Sequence, residues 1–213
     1  MPTRSHGRVK LLTPRISNVW LFTDTEGHRF LVDTGHRVER TILAQSLTRA
    51  GVVRGSLTAV LLTHRHSDHA GNAAWLRDEL RAPVICHAAD AKKLTGNERP
   101  ARLARRGAKA FYDALCHVED AFTEGSSMLL HEPTGTLFTG DAILAGAPVQ
   151  RLHTRLSLAI PGFSEDVAAC HRAVLAFLAE ERPVRTLCAG HGPKVRRDLP
   201  RLFHGLLRRE RAA

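Results

Sequence analysis

Cysteine is scarce in this chain and nowhere forms a CxxC pair. The four thiols are Cys86, Cys116, Cys170 and Cys188. Their separation leaves neither a zinc-ribbon framework nor a thioredoxin-like redox pair, and buried, reduced thiols are expected. Aromatic side chains are few as well: one Tyr, two Trp and eight Phe, a poor supply of stacking platforms for single-stranded nucleic acid. No run of about 18 apolar residues occurs, so no membrane-spanning helix is expected. The opening MPTRSHGRVKLL has no apolar segment of signal-peptide length ahead of a small-residue cleavage site, and a cytoplasmic location is the expectation that follows. Acidic residues are outnumbered, 21 Asp and Glu against 31 Lys and Arg, for a formal net charge of +10. The basic clusters are ARRGAK (104–109) and KVRRDLPRLFHGLLRRERAA (194–213). Such clusters attract nucleic acid, acidic membrane or anionic substrates, or are merely solvated helix faces; charge alone names no partner.

The remaining composition is that of a globular chain, 43% hydrophobic and 24% charged over 213 residues. That is one domain, 1–213, long enough to bury a core without staples. ISNVWLFTDTEGHRFLVD (16–33) reads as two strands around a DTEGH turn. Val38, Ile42, Leu43 and Leu47 follow at helical spacing, with Gly51 as a stop. LTAVLLT (57–63) reads as a buried strand, 68–82 as a helix ended by Pro83, and PVICH as another short strand. Residues 88–117 read as mostly helical and basic. SSMLLHEPTGTLFTGD (126–141) reads as a hairpin, 164–181 as a helix capped by Ser164, VRTLCAGHG as strand then loop, and 197–210 as a last helix. Strands and helices mix in both halves, which indicates an α/β domain other than an alternating doubly wound sheet.

One stretch stands out, LLTHRHSDHAGN (61–72). A strand running into a loop aims residues i and i+2 to one side, so His64 and His66 can share a cation. Asp68 and His69 lie where the chain turns into a helix, aimed at a neighbouring position. Imidazole and carboxylate together suit zinc and related ions, with iron or manganese also accommodated.

THRHSDHAGN resembles the HxHxDH signature of the metallo-β-lactamase superfamily of hydrolases. Three other segments are similar to that family in order: NVWLFTDTEGHRFLVDTG, GTLFTGDAIL and LCAGHGP. The resemblance implies a four-layer αββα sandwich with one or two metal ions at an edge. It makes Asp141 the expected bridging ligand and His191 the last histidine; by themselves they read as a turn residue and a loop residue. The implied metal ligands are thus His64, His66, Asp68, His69, Asp141 and His191. Asp68 is also the catalytic residue that orients water, and Asp33 of DTG braces the site from behind. Hydrolysis of a small ester, thioester or lactone by a metal-bound hydroxide is the implied activity, with a small-molecule substrate, no membrane, and a homodimer left open.

The family's third metal-binding histidine has no counterpart. Counting back from Asp141 places Phe122 there, within AFTEGS (121–126), and phenylalanine has no lone pair to donate. The segment before it is short, so an edge hairpin is expected to be missing, and His117 is the nearest substitute donor. Two alternatives follow. One is a member with weakened or lost catalysis and a binding or regulatory role. The other, resting on the +10 charge, is a phosphodiester- or nucleic-acid-directed hydrolase.

Overall fold

The computed structural model describes residues 7–12, 16–95, 126–146, 155–159 and 166–211. Period-two alternation builds its first sheet. Strands β1 (Arg8–Leu12), β2 (Val19–Thr23), β3 (Arg29–Val32), β4 (Ala59–Leu61) and β5 (Val84–Ile85) lie side by side in that order. Successive side chains of a strand point to opposite faces. Trp20, Phe22, Phe30, Val32, Ala59 and Leu61 accordingly face one way, and Val19, Leu21, Leu31 and Val60 the other. The second set is covered by helices α1 (Arg40–Arg49) and α3 (Ala73–Leu80), through Leu43, Leu47 and Leu76.

The second sheet is built from β6 (Leu129–His131), β7 (Thr136–Gly140) and β10 (Thr186–Ala189), in the order β10-β7-β6. Leu129, Phe138 and Cys188 of its inner face meet the first sheet, with the Phe22 and Phe138 rings edge to face at 5.6 Å. Leu130, Leu137 and Leu187 of its outer face lie under helices α5 (Val167–Ala179) and α6 (Leu199–Arg211). Helix, sheet, sheet, helix is the αββα sandwich, held by three apolar layers. A two-stranded ribbon, β8 (Ile143–Leu144) with β9 (Ser157–Leu158), adds to the outer layer. Among the described residues, no helix is long and apolar enough to cross a membrane.

Three details differ from the sequence reading. The helix expected over 68–82 is two, α2 (Ser67–Ala70) and α3, interrupted at Gly71–Asn72. A Cβ on Gly71 would collide with the Ser67 carbonyl and with the backbone at Gly35 and Arg37, so the chain there packs too closely for a side chain. Helix α5 is capped by Asp166, not Ser164; its carboxylate accepts from the Ala169 amide at 2.8 Å. Strand β1 carries Arg8 and Lys10 on its exposed positions, which hid it among charged residues. Helix α4 (Ala88–Thr95) begins the basic segment. The remainder of that segment, with ARRGAK, His117 and Phe122, lies outside the described residues, and so does the place where an edge hairpin is expected to be missing.

Candidate metal centre

Parallel pairing puts distant residues side by side. Strands β3 and β4 run parallel with Val32 opposite Leu61, so both chains leave the sheet at the same edge. Asp33 follows one, and Thr63 and His64 the other. In the second sheet β7 and β10 are parallel with Gly140 opposite Ala189, so Asp141 and His191 emerge together. The sheets are tied at this edge by Asn18 N donating to Gly190 O (2.7 Å) and Trp20 Nε1 to Ala189 O (3.0 Å). Ser127 N donates to Thr63 O at 2.7 Å. Carboxyl ends of parallel strands are where open α/β sheets gather ligands.

Asp33 sits in the left-handed region (φ 59°) and turns its carboxylate beneath this edge. It is buried and accepts from Thr63 N at 2.8 Å, from the Thr63 hydroxyl at 2.9 Å and from His69 Nδ1 at 2.8 Å. Donor bookkeeping then sets two tautomers. His69 gives its Nδ1 proton to Asp33, so its Nε2 lone pair faces outward. The Thr63 hydroxyl spends its proton on Asp33 and so accepts from His64 Nδ1 at 3.0 Å, which leaves His64 Nε2 as a lone pair too. Ser17 Oγ donates to the Asp68 carbonyl, and Thr34 Oγ1 to the His69 carbonyl at 2.7 Å. Arg65, between the two first histidines, reaches buried Asp90 of α4 at 3.5 Å.

All six residues expected at the site come together, in two groups. His64, His66 and Asp141 each offer one ligand atom within 4.8 Å of one another, and so do Asp68, His69 and His191. Asp141 Oδ1 lies 3.2 Å from His69 Nε2 and 3.3 Å from His191 Nε2, while its Oδ2 lies 3.7 Å from His64 Nε2. Asp68 Oδ2 is 3.4 Å from His69 Nε2 and 3.6 Å from His191 Nε2.

This donor set fits a cation better than it fits itself. His69 Nε2 and Asp141 Oδ1 are both buried without a hydrogen bond, though only 3.2 Å apart. Buried polar atoms are rarely left so. His64 Nε2 faces His66 Nδ1 at 3.0 Å, a contact that needs a proton or a metal between two nitrogens. Burial opposes charge on His69, yet Asp33, Asp141 and Asp68 around its ring hold its pKa well above the ordinary value. Burial likewise works against Asp68 and Asp141. The His69 ring nonetheless pulls Asp68 down to about 2, and His191 with His69 holds Asp141 far below the carboxylate range. Burial, then the neighbouring His69, push His64 well below its ordinary value. Three carboxylates around the imidazole rings thus call for positive charge at the centre.

A family model, the metallo-beta-lactamase superfamily, matches residues 12–126, just over half of the 213-residue chain. The chain belongs to the metallo-beta-lactamase superfamily. Within this superfamily of metal-binding hydrolases, the probable metallo-hydrolase YybB of Bacillus subtilis (strain 168) is 35% identical over 81 residues, 38% of this chain. That match spans about a third of the relative's length, 34%. Solved structures agree in fold. A metallo-beta-lactamase from Erythrobacter litoralis, with beta mercaptoethanol in its active site, superposes with TM-score 0.64 at 23% identity, covering 95% of this chain and 92% of that one. A family protein of Thermus thermophilus gives 0.62 at 21% identity, covering 97% and 80%. The protein TTHA1623, solved in a di-iron-bound form, gives 0.59 at 23% identity, covering 89% and 94%.

Reading the sequence missed Thr63, Asn18 and Asn72 as parts of this superfamily site. Asn72 Nδ2 donates to the carbonyls of Thr34 (2.9 Å), Gly35 (3.2 Å) and His36 (3.1 Å), fixing the loop that follows Asp33. Asn18 Nδ2 donates to Ala189 O (2.9 Å) and Gly192 O (2.7 Å), bracing the His191 loop. Both asparagines stand inside the family-like segments, Asn18 at the start of NVWLFTDTEGHRFLVDTG and Asn72 at the end of THRHSDHAGN, but neither role is local, since each serves a segment distant in sequence. The described thiols take no part: Cys86, Cys170 and Cys188 are free, and burial pushes Cys86 up to about 11 and Cys170 to about 12.

Proposed function

We propose that the protein is a metal-dependent hydrolase of a small ester, thioester or lactone, working in the cytoplasm as a single domain over 1–213. The observation that carries this reading is the Asp141 carboxylate, which turns one oxygen toward His69 and His191 and the other toward His64. A carboxylate so placed suits a pair of neighbouring cations. In this reading His64, His66 and Asp141 hold one ion, and Asp68, His69, His191 and Asp141 hold the other. Zinc suits the nitrogen and oxygen donors, and iron or manganese is also accommodated. A bound divalent cation supplies a water acidic enough to act as nucleophile at neutral pH and charge to stabilise a developing oxyanion.

The chain's own groups do the remaining work. Asp68, with its side chain 24% exposed, orients the attacking water at a carboxylate oxygen and passes its proton to the leaving group. Asp33 and Thr63 keep the rings of His69 and His64 from turning, so their Nε2 atoms stay aimed at the centre. The positions are unequal, with four protein donors at one and three at the other. Since Phe122 stands where a further histidine would complete the second, one ion is held tightly and the other weakly. That inequality also motivates a second reading, a member that binds metal and ligand but turns over slowly.

Metal analysis of the purified protein before and after mild chelation tests the first claim. One retained equivalent is expected, and two surviving equivalents would refute the inequality. A panel of thioester, lactone and bis-p-nitrophenyl phosphate substrates, with zinc or manganese added, tests the second. Turnover of an acyl substrate that is lost in Asp68→Asn supports the hydrolase. Silence across the panel with metal bound favours the second reading, and turnover of the phosphodiester alone overturns the substrate class.

A further inference from the structure

Helix α6 separates its residues cleanly. Leu199, Leu202, Phe203, Leu206 and Leu207 pack on the outer core layer. Arg201, His204 and Arg208, at spacings of three and four, are exposed along the opposite side. Arg201, His204, Leu207 and Arg208 line an open hollow of about 490 Å³. Some guanidiniums elsewhere on the described surface find partners, Arg77 with Asp78, Arg182 with Glu132 and Glu180, and Arg209 with the Leu156 carbonyl, while Arg49, Arg54 and Arg81 stand singly. Arg201, His204 and Arg208 have no partner among the described residues. Glu210 does not reach them, because it faces His171 at 3.7 Å. Arg196 and Arg197 are exposed just ahead of the helix, with Asp198 the one acidic residue between them and it. Residues 194–211 hold seven basic residues against two acidic ones, half of the chain's net +10.

We propose that this stripe is a docking surface for the phosphate backbone of double-stranded nucleic acid, separate from the metal centre. The shape argues for a linear polyanion over a small phosphate. Arg201 and Arg208 are seven residues apart, about 10 Å along the helix, in an open hollow and not a closed pocket around one group. About 10 Å of duplex axis carries roughly three phosphates per strand. The face has no exposed Phe, Tyr or Trp among its described residues and one small ring, His204, so it is a poor platform for unstacked bases, and its contacts would be mainly to backbone and independent of sequence. An amphipathic helix in a membrane surface needs its apolar face free, whereas here that face is committed to the core.

Fluorescence anisotropy of a labelled duplex of about 20 base pairs, titrated at several salt concentrations with full-length protein, tests this. Three or four backbone contacts predict a slope of log K against log salt of about −3 to −4. Arg201→Glu with Arg208→Glu is expected to weaken binding at least tenfold at about 50 mM salt and to flatten the slope by about 2, with metal content unchanged. Arg201→Lys with Arg208→Lys keeps the charge and is expected to retain binding. Three results would overturn the proposal: no binding at about 50 mM salt, binding indifferent to the charge reversal, or capture by phosphatidylglycerol vesicles without capture by the duplex.

Discussion

Asp33 braces both halves of the centre. Its carboxylate takes the His69 proton directly and reaches His64 through the Thr63 hydroxyl. Two substitutions separate these arms. Asp33→Asn removes the negative charge and turns one of the two accepting oxygens into a donor, so it can no longer serve both arms, and it is expected to weaken both metal positions about 10- to 100-fold. Thr63→Val cuts only the path to His64, so the ion at Asp68, His69 and His191 should keep its affinity while the other is lost. Competition with a chromophoric chelator reads both constants, and equal losses in the two variants would argue against a shared brace. Gly190 makes a different demand. A Cβ there would stand 2.6 Å from both Asp141 Oδ1 and His69 Cε1, closer than such atoms approach. Gly190→Ala is therefore expected to displace a ligand and to leave the purified protein with little metal. Full stoichiometry by elemental analysis would contradict this.

At the scale of elements, the break between α2 and α3 does what a continuous helix could not. It releases the backbone at Gly71 to pack on the loop after Asp33 and presents Asn72 to the carbonyls of Thr34, Gly35 and His36. Asn72 Oδ1 also accepts from Arg40 Nε at 3.1 Å, so α1 is held to the same loop. Asn72→Ala leaves buried acceptors without a donor, at roughly 1–3 kcal/mol. For a chain of this size each kcal/mol lowers Tm by about 2–4 °C. Differential scanning calorimetry should show a fall in that range; an unchanged Tm would mean that water replaces the amide without loss.

For the whole molecule, the centre and the core are one system, because the metal-facing residues leave the ends of strands from both sheets. Removing metal should therefore lower stability. At a free metal concentration a hundredfold above Kd, binding contributes about 2.7 kcal/mol, or about 5–10 °C of Tm for a chain of this size. Thermal scans with EDTA, then with zinc restored, should lose and regain that interval. The reverse coupling is tested from the interior. Phe138 is fully buried between the sheets on the strand that leads into Asp141. Phe138→Ala is expected to cost about 3–5 kcal/mol and to reduce metal affinity as β7 loosens. Unaltered metal affinity in that variant would show that the site tolerates a softened core.

Much of this was legible in the amino-acid order alone, for a local reason. The apolar alternation of 19–32, the hairpin at 126–141 with its HEPTG turn and the close spacing of His64, His66, Asp68 and His69 are short-range patterns, and periodicity with turn chemistry reports them directly. Family resemblance added Asp141 and His191, by the order of motifs. Tertiary structure decided what depends on partners far along the chain. It set the parallel registers that bring Asp141 beside His191, the single carboxylate of Asp33 serving two histidines, the asparagines at 18 and 72, and a strand at Arg8–Leu12 disguised by its charged positions. Periodicity shows which residues share a face; only packed sheets determine which faces, ends and buried polar atoms meet.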